Sequence, residues 1–240
     1  MNYNVYIGYD GREDIAAQVC RYSILQRTDK LLPPDIHFLK SVDIPEYVRE
    51  REPKQSTDFT YTRFMIPFMN NYKGFSVFCD CDFLFQADVM DLVLSVDPKK
   101  AVSVVKHPAY RPRTDIKMDG IQQHTMEKKN WASLIVFNNA HPSNKRLTPE
   151  YVNTRMPGRV MHQFEWLAPW ELGSIPLNWN TLDNYYLLDN PKAIHYTDGG
   201  PWFDNYKKTM YSAEWWSEYY DYTNTTGQQR TLSPDARGTP

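Results

Sequence analysis

The chain is poor in the features that would settle its class at once. It has three cysteines in 240 residues, Cys20, Cys79 and Cys81, so no even disulfide framework is available. A reducing, cytoplasmic setting is the expectation. A net charge of −2 supplies no general basic field, which argues against a dedicated nucleic-acid binder. No apolar run reaches the length of a membrane span, and the opening "MNYNVYIGYD" lacks the apolar core of a signal peptide, so stable membrane insertion is not expected. A Gly-rich basic loop of the kind that covers triphosphates is also missing; "GYDGRED" is acidic instead.

Aromatic residues, in contrast, make up 15% of the chain, with Trp and Tyr crowded toward the C-terminal half. They can build a core, and they also line sugar sites, where an apolar face meets a hydroxyl-rich ligand.

The apolar pattern predicts alternating strands and helices. "NVYIGYD" (residues 4–10) reads as a buried strand that breaks at Gly8. Ile15, Ala16, Val19, Cys20, Ile24 and Leu25 then fall at helical spacing, with acidic residues at the helix start. "IHFLK" (36–40) is a second strand, making the opening β-α-β. Further strands are expected at "FSVFCD", "AVSVVK" and "WASLIVFN", a short helix at "DVMDLVL", and extended pieces at "SIPLNWN" and "AIHY". Pro67 makes a long helix in "STDFTYTRFMIPFMN" doubtful. Residues 107–130 are polar without periodicity, a length that suggests a functional flap or a disordered segment. The pattern predicts an α/β fold with a mainly parallel sheet and ligands at the C-terminal ends of its strands. One domain over residues 1–222 is expected, with a flexible polar tail over 223–240.

That rule draws attention to "FCDCDFLFQADV", where Asp80 and Asp82 follow directly on an apolar run. Three readings compete: a surface turn, a thiolate metal site on Cys79 and Cys81, and a carboxylate metal site. A closed zinc site needs about four soft ligands and no second cysteine pair exists, so the thiolate reading ranks last. Residues two apart in extended chain share a side, which would aim both carboxylates at one Mg²⁺ or Mn²⁺. These residues alone leave the turn and the carboxylate site both open.

Four segments in order resemble the GT-A-fold glycosyltransferases, in particular the retaining family 8 group that includes glycogenin and lipopolysaccharide galactosyl- and glucosyltransferases. They are "YIGYDGRE", "FTYTRFMIPFM", "FCDCDFLFQADVMDL" and "HYTDGGPWF", and together they span roughly residues 3–203. The resemblance implies a single Rossmann-like sheet flanked by helices, a Mn²⁺ or Mg²⁺ cofactor, a nucleotide-sugar donor, most simply UDP-linked, and a carbohydrate acceptor. By the same resemblance Asp80, Asp82 and His195 would hold the metal, and Arg63 would lie against the donor. Gly8, Tyr9 and Asp10 would line the base and ribose pocket, with Cys81, Asn138, Gly199 and Gly200 as further donor contacts. Gln163 would sit beneath the anomeric carbon, and Glu165 is the rival group as a covalent nucleophile.

Two departures stand out. His162 and Phe164 replace acids that flank the family's glutamine, and Gly199–Gly200 stand where the family carries a lysine before Pro-Trp. A nucleotidyltransferase and a non-catalytic carbohydrate-binding protein are the other classes that this sequence admits.

Overall fold

The computed structural model describes residues 3–53, 55–108 and 128–227. Strand β1 (Tyr3–Gly8) leads through a 3-10 turn at Gly11–Glu13 into helix α1 (Asp14–Arg27) and then β2 (Asp35–Leu39), which pairs with β1 in parallel. The β-α-β opening is therefore as the apolar pattern predicts. The Asp10 side chain accepts from the Arg12 amide and so caps the 3-10 turn.

Arg63 lies on a second 3-10 turn, Thr62–Met65, all four residues of which are buried. The one-turn helix α2 (Ile66–Met69) follows directly, with Pro67 in its first turn. Proline has no N–H to give a preceding turn, which accounts for the change of helical type at this point.

Next come β3 (Phe75–Cys79), β4 (Phe83–Phe85), α3 (Val89–Ser95), β5 (Val102–Val105) and β6 (Leu134–Asn138). Beyond them lie α4 (Pro149–Thr154), β7 (Leu172–Ile175), β8 (Thr181–Leu182), β9 (Ala193–His195) and α5 (Ser212–Thr226). Six strands form the main sheet in the order β2-β1-β3-β6-β5-β7. Its pairings are parallel except on the two sides of β6, which runs antiparallel to both β3 and β5. All four residues of β5 and Leu134–Phe137 of β6 are buried, as expected for strands covered on both faces.

A second, three-stranded sheet, β4-β9-β8, adds to this frame. Its defining pair, Phe83 against His195, is more than a hundred residues apart in the chain. Helix α1 packs between the two sheets' cores. Ala17, Cys20 and Ile24 belong to the core of the main sheet, and Ile15, Ala16 and Val19 to an aromatic cluster with Trp202, Trp215 and Tyr219. An α-helix that must satisfy two cores is apolar around much of its circumference.

Two expectations need correction. In "SIPLNWN" only Ser174 and Ile175 are strand; Leu177–Trp179 form a 3-10 turn after Pro176. Helix α5 runs past the boundary expected for a flexible tail, because Tyr222 and Thr223 are buried and Tyr222 packs edge-on to Tyr22 at 5.7 Å. The rest of that tail, and most of the 107–130 segment, lie outside the described residues. No helix among the described residues is long and apolar enough to cross a membrane.

Candidate metal and donor site

Asp80, Cys81 and Asp82 are the link by which the chain leaves the main sheet at β3 and enters the small sheet at β4. They form a turn rather than an extended segment. The Asp80 amide donates to the Ser133 carbonyl at 2.9 Å, continuing the β3–β6 pairing by one residue. The Asp82 carbonyl accepts from the Tyr196 amide at 3.0 Å, continuing the β4–β9 pairing. Each aspartate is thus anchored by a different sheet.

His195, the last residue of β9, completes the group. One ligand atom from each of Asp80, Asp82 and His195 lies within 4.8 Å of the others. His195 Nε2 is 3.3 Å from Asp82 Oδ1. Its other nitrogen, Nδ1, is 2.9 Å from the Asn180 side-chain oxygen. That contact is a hydrogen bond only if Nδ1 carries the proton, and it leaves Nε2 as the ring nitrogen turned to the carboxylates. Asn180 in turn donates to Ser133 Oγ at 2.9 Å, and Ser133 Oγ donates to the Asn130 carbonyl at 2.7 Å. Phe83 stacks on the imidazole at 4.4 Å between centroids. The ring is therefore fixed in plane and tilt.

Two cis ligands of a six-coordinate Mg²⁺ or Mn²⁺ sit about 3 Å apart. The 3.3 Å contact is close to that, and two carboxylate oxygens with one imidazole nitrogen suit Mn²⁺. The donor set fits the expected cofactor.

Arg63 Nη1 is 2.9 Å from Asp80 Oδ1 and donates to the Ala132 carbonyl at 2.5 Å. The guanidinium lies over the Phe78 ring at 4.5 Å and is almost wholly buried. It is neither a surface ion pair nor an open arm; it holds the Asp80 carboxylate from behind. Glu13, buried beneath the same turn, accepts from the Cys81 thiol at 3.6 Å. Burial first, then the negative charges of Asp82 and Asp10, push the Glu13 carboxyl well above the usual range.

The remaining expected residues divide. Gly8 lies at the end of β1, where an added Cβ would meet the Phe59 ring at 2.5 Å, so close approach and not a turn explains this glycine. Tyr9 donates to Asp14 Oδ1 at 3.0 Å and carries Lys40 Nζ over its ring at 4.5 Å. Burial works to raise the Asp10 carboxyl, but the bonds it accepts from Arg12 outweigh it and hold the group below the usual range. Gly199 adopts φ +123°, in the region that favours glycine, and Gly200 has the Trp202 ring 2.0 Å from where a Cβ would stand. The turn therefore admits no side chain at Gly200 in the present packing.

Cys81 is corrected. Its side chain is turned inward to Glu13, so any ligand contact at this position goes through the backbone. Cys79 Sγ likewise packs 3.9 Å from Cys20 Sγ, and all three cysteines are free and buried.

Asn138 stands away from the aspartates. Because β6 is antiparallel, Asn138 pairs with Phe75 at the opening end of β3, whereas Leu134 pairs with Cys79 beside the aspartates. Four residues of strand put Asn138 about 13 Å from the site. Its side chain donates to the Pro98 carbonyl at 2.9 Å. The residues that do reach the site come just before β6, namely Asn130, Ala132 and Ser133. Sequence reasoning missed them; the signal available was the short segment "NWAS" opening an apolar run.

Gln163 and Glu165 line a pocket of about 460 Å³ with Lys106, Lys128 and Trp131. The Gln163 carbonyl accepts from Lys128 Nζ at 2.7 Å. Glu165 is held at both oxygens: Arg155 donates at 2.8 and 2.7 Å, and the Tyr151 hydroxyl at 2.7 Å. His162 stacks edge-on against Phe64 at 5.2 Å and Tyr61 at 5.7 Å, so the 158–163 turn rests on the segment that carries Arg63.

No family profile matches the chain. Protein CDI of Arabidopsis thaliana is 41% identical over 229 residues, a span of 92% of this chain and 87% of that protein. Among solved structures, the bifunctional glycosyltransferase WbbM superposes with a TM-score of 0.65 at 16% identity, covering 95% of this chain; the chain spans about half of WbbM, 52%. The glycosyltransferase GlyE of Streptococcus pneumoniae gives 0.58 at 13% identity, over 99% of this chain and 67% of that one. The galactosyltransferase LgtC, solved with donor and acceptor sugar analogues, gives 0.57 at 11% identity, over 91% and 95%. The chain belongs to the family of Arabidopsis thaliana Protein CDI, and its mixed sheet flanked by helices is the GT-A glycosyltransferase fold.

Proposed function

We propose that the chain is a metal-dependent glycosyltransferase that moves a hexose from a UDP-linked donor to a hydroxyl of a saccharide acceptor, with retention at the anomeric carbon. The observation that carries this reading is the convergence of Asp80, Asp82 and a His195 held by Asn180 at the C-terminal end of β3, on a fold shared with glycosyltransferases. Ligands of open α/β sheets bind at such strand ends.

Asp80, Asp82 and His195 would hold Mn²⁺ or Mg²⁺. When bound, such a cation supplies positive charge against the diphosphate as the glycosidic bond breaks. Arg63 keeps the Asp80 carboxylate oriented, acting as a positioning residue through its ion pair. Tyr9 and Asp10, beyond the end of β1, border the nucleoside, and the Gly199–Gly200 backbone passes the diphosphate. The Gln163 amide oxygen lies under the sugar, where its dipole favours the positive charge that develops at the anomeric carbon.

In the preferred step, the acceptor oxygen forms its bond on the face from which the diphosphate leaves. The departing phosphate oxygen takes the acceptor proton, so no protein nucleophile is needed. The hydrogen bonds that Arg155 and Tyr151 make to both Glu165 oxygens support this version over a glycosyl-Glu165 intermediate. They also hold the Glu165 carboxyl below the usual range, against burial, and a carboxylate so engaged is a poor nucleophile.

The test is nucleotide release from a panel of nucleotide sugars with Mn²⁺, for the wild type and Asp82→Ala. Metal-dependent release of UDP, lost in the variant, is the expected result. Pyrophosphate from a nucleoside triphosphate would point to nucleotidyl transfer instead, and no turnover with any donor would leave a carbohydrate-binding protein.

A further inference from the structure

The pocket beside Gln163 has a chemistry of its own. Two ammonium groups enter it from different parts of the chain, Lys106 just after β5 and Lys128 just before β6. Lys106 Nζ donates to the Leu172 carbonyl at 3.0 Å, and Lys128 Nζ to the Gln163 carbonyl at 2.7 Å. Among the described residues neither pairs with a carboxylate. Burial first, then the charges of Lys100 and Lys128, push the Lys106 ammonium below its ordinary value.

The acid in the lining does not change this balance. Glu165 is already neutralised by the two-point contact with Arg155. Trp131 supplies an aromatic wall, its indole N–H donating to the His107 carbonyl at 3.3 Å and Lys128 Nζ lying 5.8 Å from its ring centroid. A locked indole beside hydrogen-bonding groups suits the apolar face of a sugar ring.

Two of the segments that line the pocket are tied to the metal site. Trp131 belongs to the turn whose Ser133 carbonyl receives the Asp80 amide, and Gln163 ends the turn that rests through His162 on the Arg63 segment. Resting on the glycosyltransferase reading of the neighbouring site, we propose that this pocket is the acceptor subsite and that it selects an acidic acceptor, a sugar bearing a carboxylate or phosphate group held between Lys106 and Lys128 with its ring against Trp131.

The experiment measures binding of glucuronic acid, glucose 6-phosphate and glucose by calorimetry at low salt, to the full chain with Mn²⁺ and UDP present. Parallel samples are Lys106→Gln/Lys128→Gln and Lys106→Arg/Lys128→Arg, and Mn²⁺-dependent UDP binding is followed separately in all three proteins. We expect at least one acidic sugar to bind about tenfold more tightly than glucose, the size of one good charge-assisted hydrogen bond. The preference should vanish in the Gln pair, persist in the Arg pair and fade with added salt. Which acidic sugar wins distinguishes a carboxylate from a phosphate. Equal binding of the three sugars, no binding of any, or a preference that survives in the Gln pair overturns the proposal. The three sugars compared on the wild type decide the matter even where a variant fails to fold. UDP binding without the acidic preference sinks this inference alone; the preference without UDP binding sinks the glycosyltransferase reading, and with it the pocket's role as acceptor subsite, while the acidic-sugar site itself stands.

Discussion

The two sheets are built from different material, and the site lies on the seam between them. The main sheet is aliphatic where its strands are central: Val102, Val104, Leu134, Ile135 and Val136 are all essentially inaccessible. The small sheet rests on an aromatic cluster, where Trp215 lies 5.3 Å from both Trp202 and Tyr219, the latter in stacked geometry. Asp80 is fixed by a ladder bond of the first, Asp82 and His195 by the second. The spacing of the three ligand groups is therefore a relation between two packed bodies. Helix α1, shared by both cores, and the Arg27–Glu218 pair at 2.7 Å between α1 and α5 help to keep that relation fixed.

The seam can be cut at its centre. Asp82→Ala removes a ligand group from the turn, and Mn²⁺-dependent nucleotide release should fall at least about a thousandfold. Retained turnover in that variant would break the link between seam and chemistry. Trp215→Ala attacks only the aromatic body and should cost about 3–5 kcal/mol in denaturant unfolding. Hydrogen exchange should then rise at Phe83–Phe85 and Ala193–His195 before it rises in β1 or β6; simultaneous loss of protection would show that the two bodies unfold as one.

A milder cut targets the imidazole's support. Asn180→Ala removes the acceptor that holds Nδ1–H, and Mn²⁺ affinity, read by electron spin resonance titration, should drop about 10–100-fold. Asn180→Asp, which restores an acceptor, should recover much of it. The smallest effect belongs to the pocket on the main-sheet side. Glu165→Gln should cost about 1 kcal/mol at pH 7, a partly exposed ion pair, with Mn²⁺ affinity unchanged. The folded Glu165 carboxyl is depressed, so this stabilisation is present above the unfolded value near 4.5 and is lost as pH falls through the lower folded value. Wild-type and variant unfolding curves should converge in acid.

Much of the main sheet was readable from the chain because its cause is local. "NVYIGYD", "FSVFC" and "AVSVVK" are apolar runs bounded by polar turns, and the helix after Gly11 shows its spacing in Ile15, Val19 and Ile24. The direction of β6 was not readable, since an apolar run is the same read either way. The resemblance named Asn138, and the antiparallel course of β6 brings Ser133 rather than Asn138 beside the aspartates. The small sheet was missed for a related reason: "FLF" and "AIH" are three-residue strands whose pairing partner lies across the whole chain. At the site, the resemblance brought Asp80, Asp82, Arg63 and His195 forward, whereas Glu13 carries no mark in the sequence that separates it from any other buried polar residue.

What the sequence determined by itself is the set of pieces: which runs bury, where the acids fall after a strand, and the absence of soft ligands for a thiolate site. These follow from side-chain chemistry and short-range periodicity, which act within a few residues. Only the tertiary structure decided that two of those acids and a distant imidazole face one another, that Cys81 turns inward, and that Lys106 and Lys128 share a pocket. Those are facts of strand direction and of how two cores pack across one helix, and the free energy that fixes them comes from contacts between parts of the chain that carry no local record of each other.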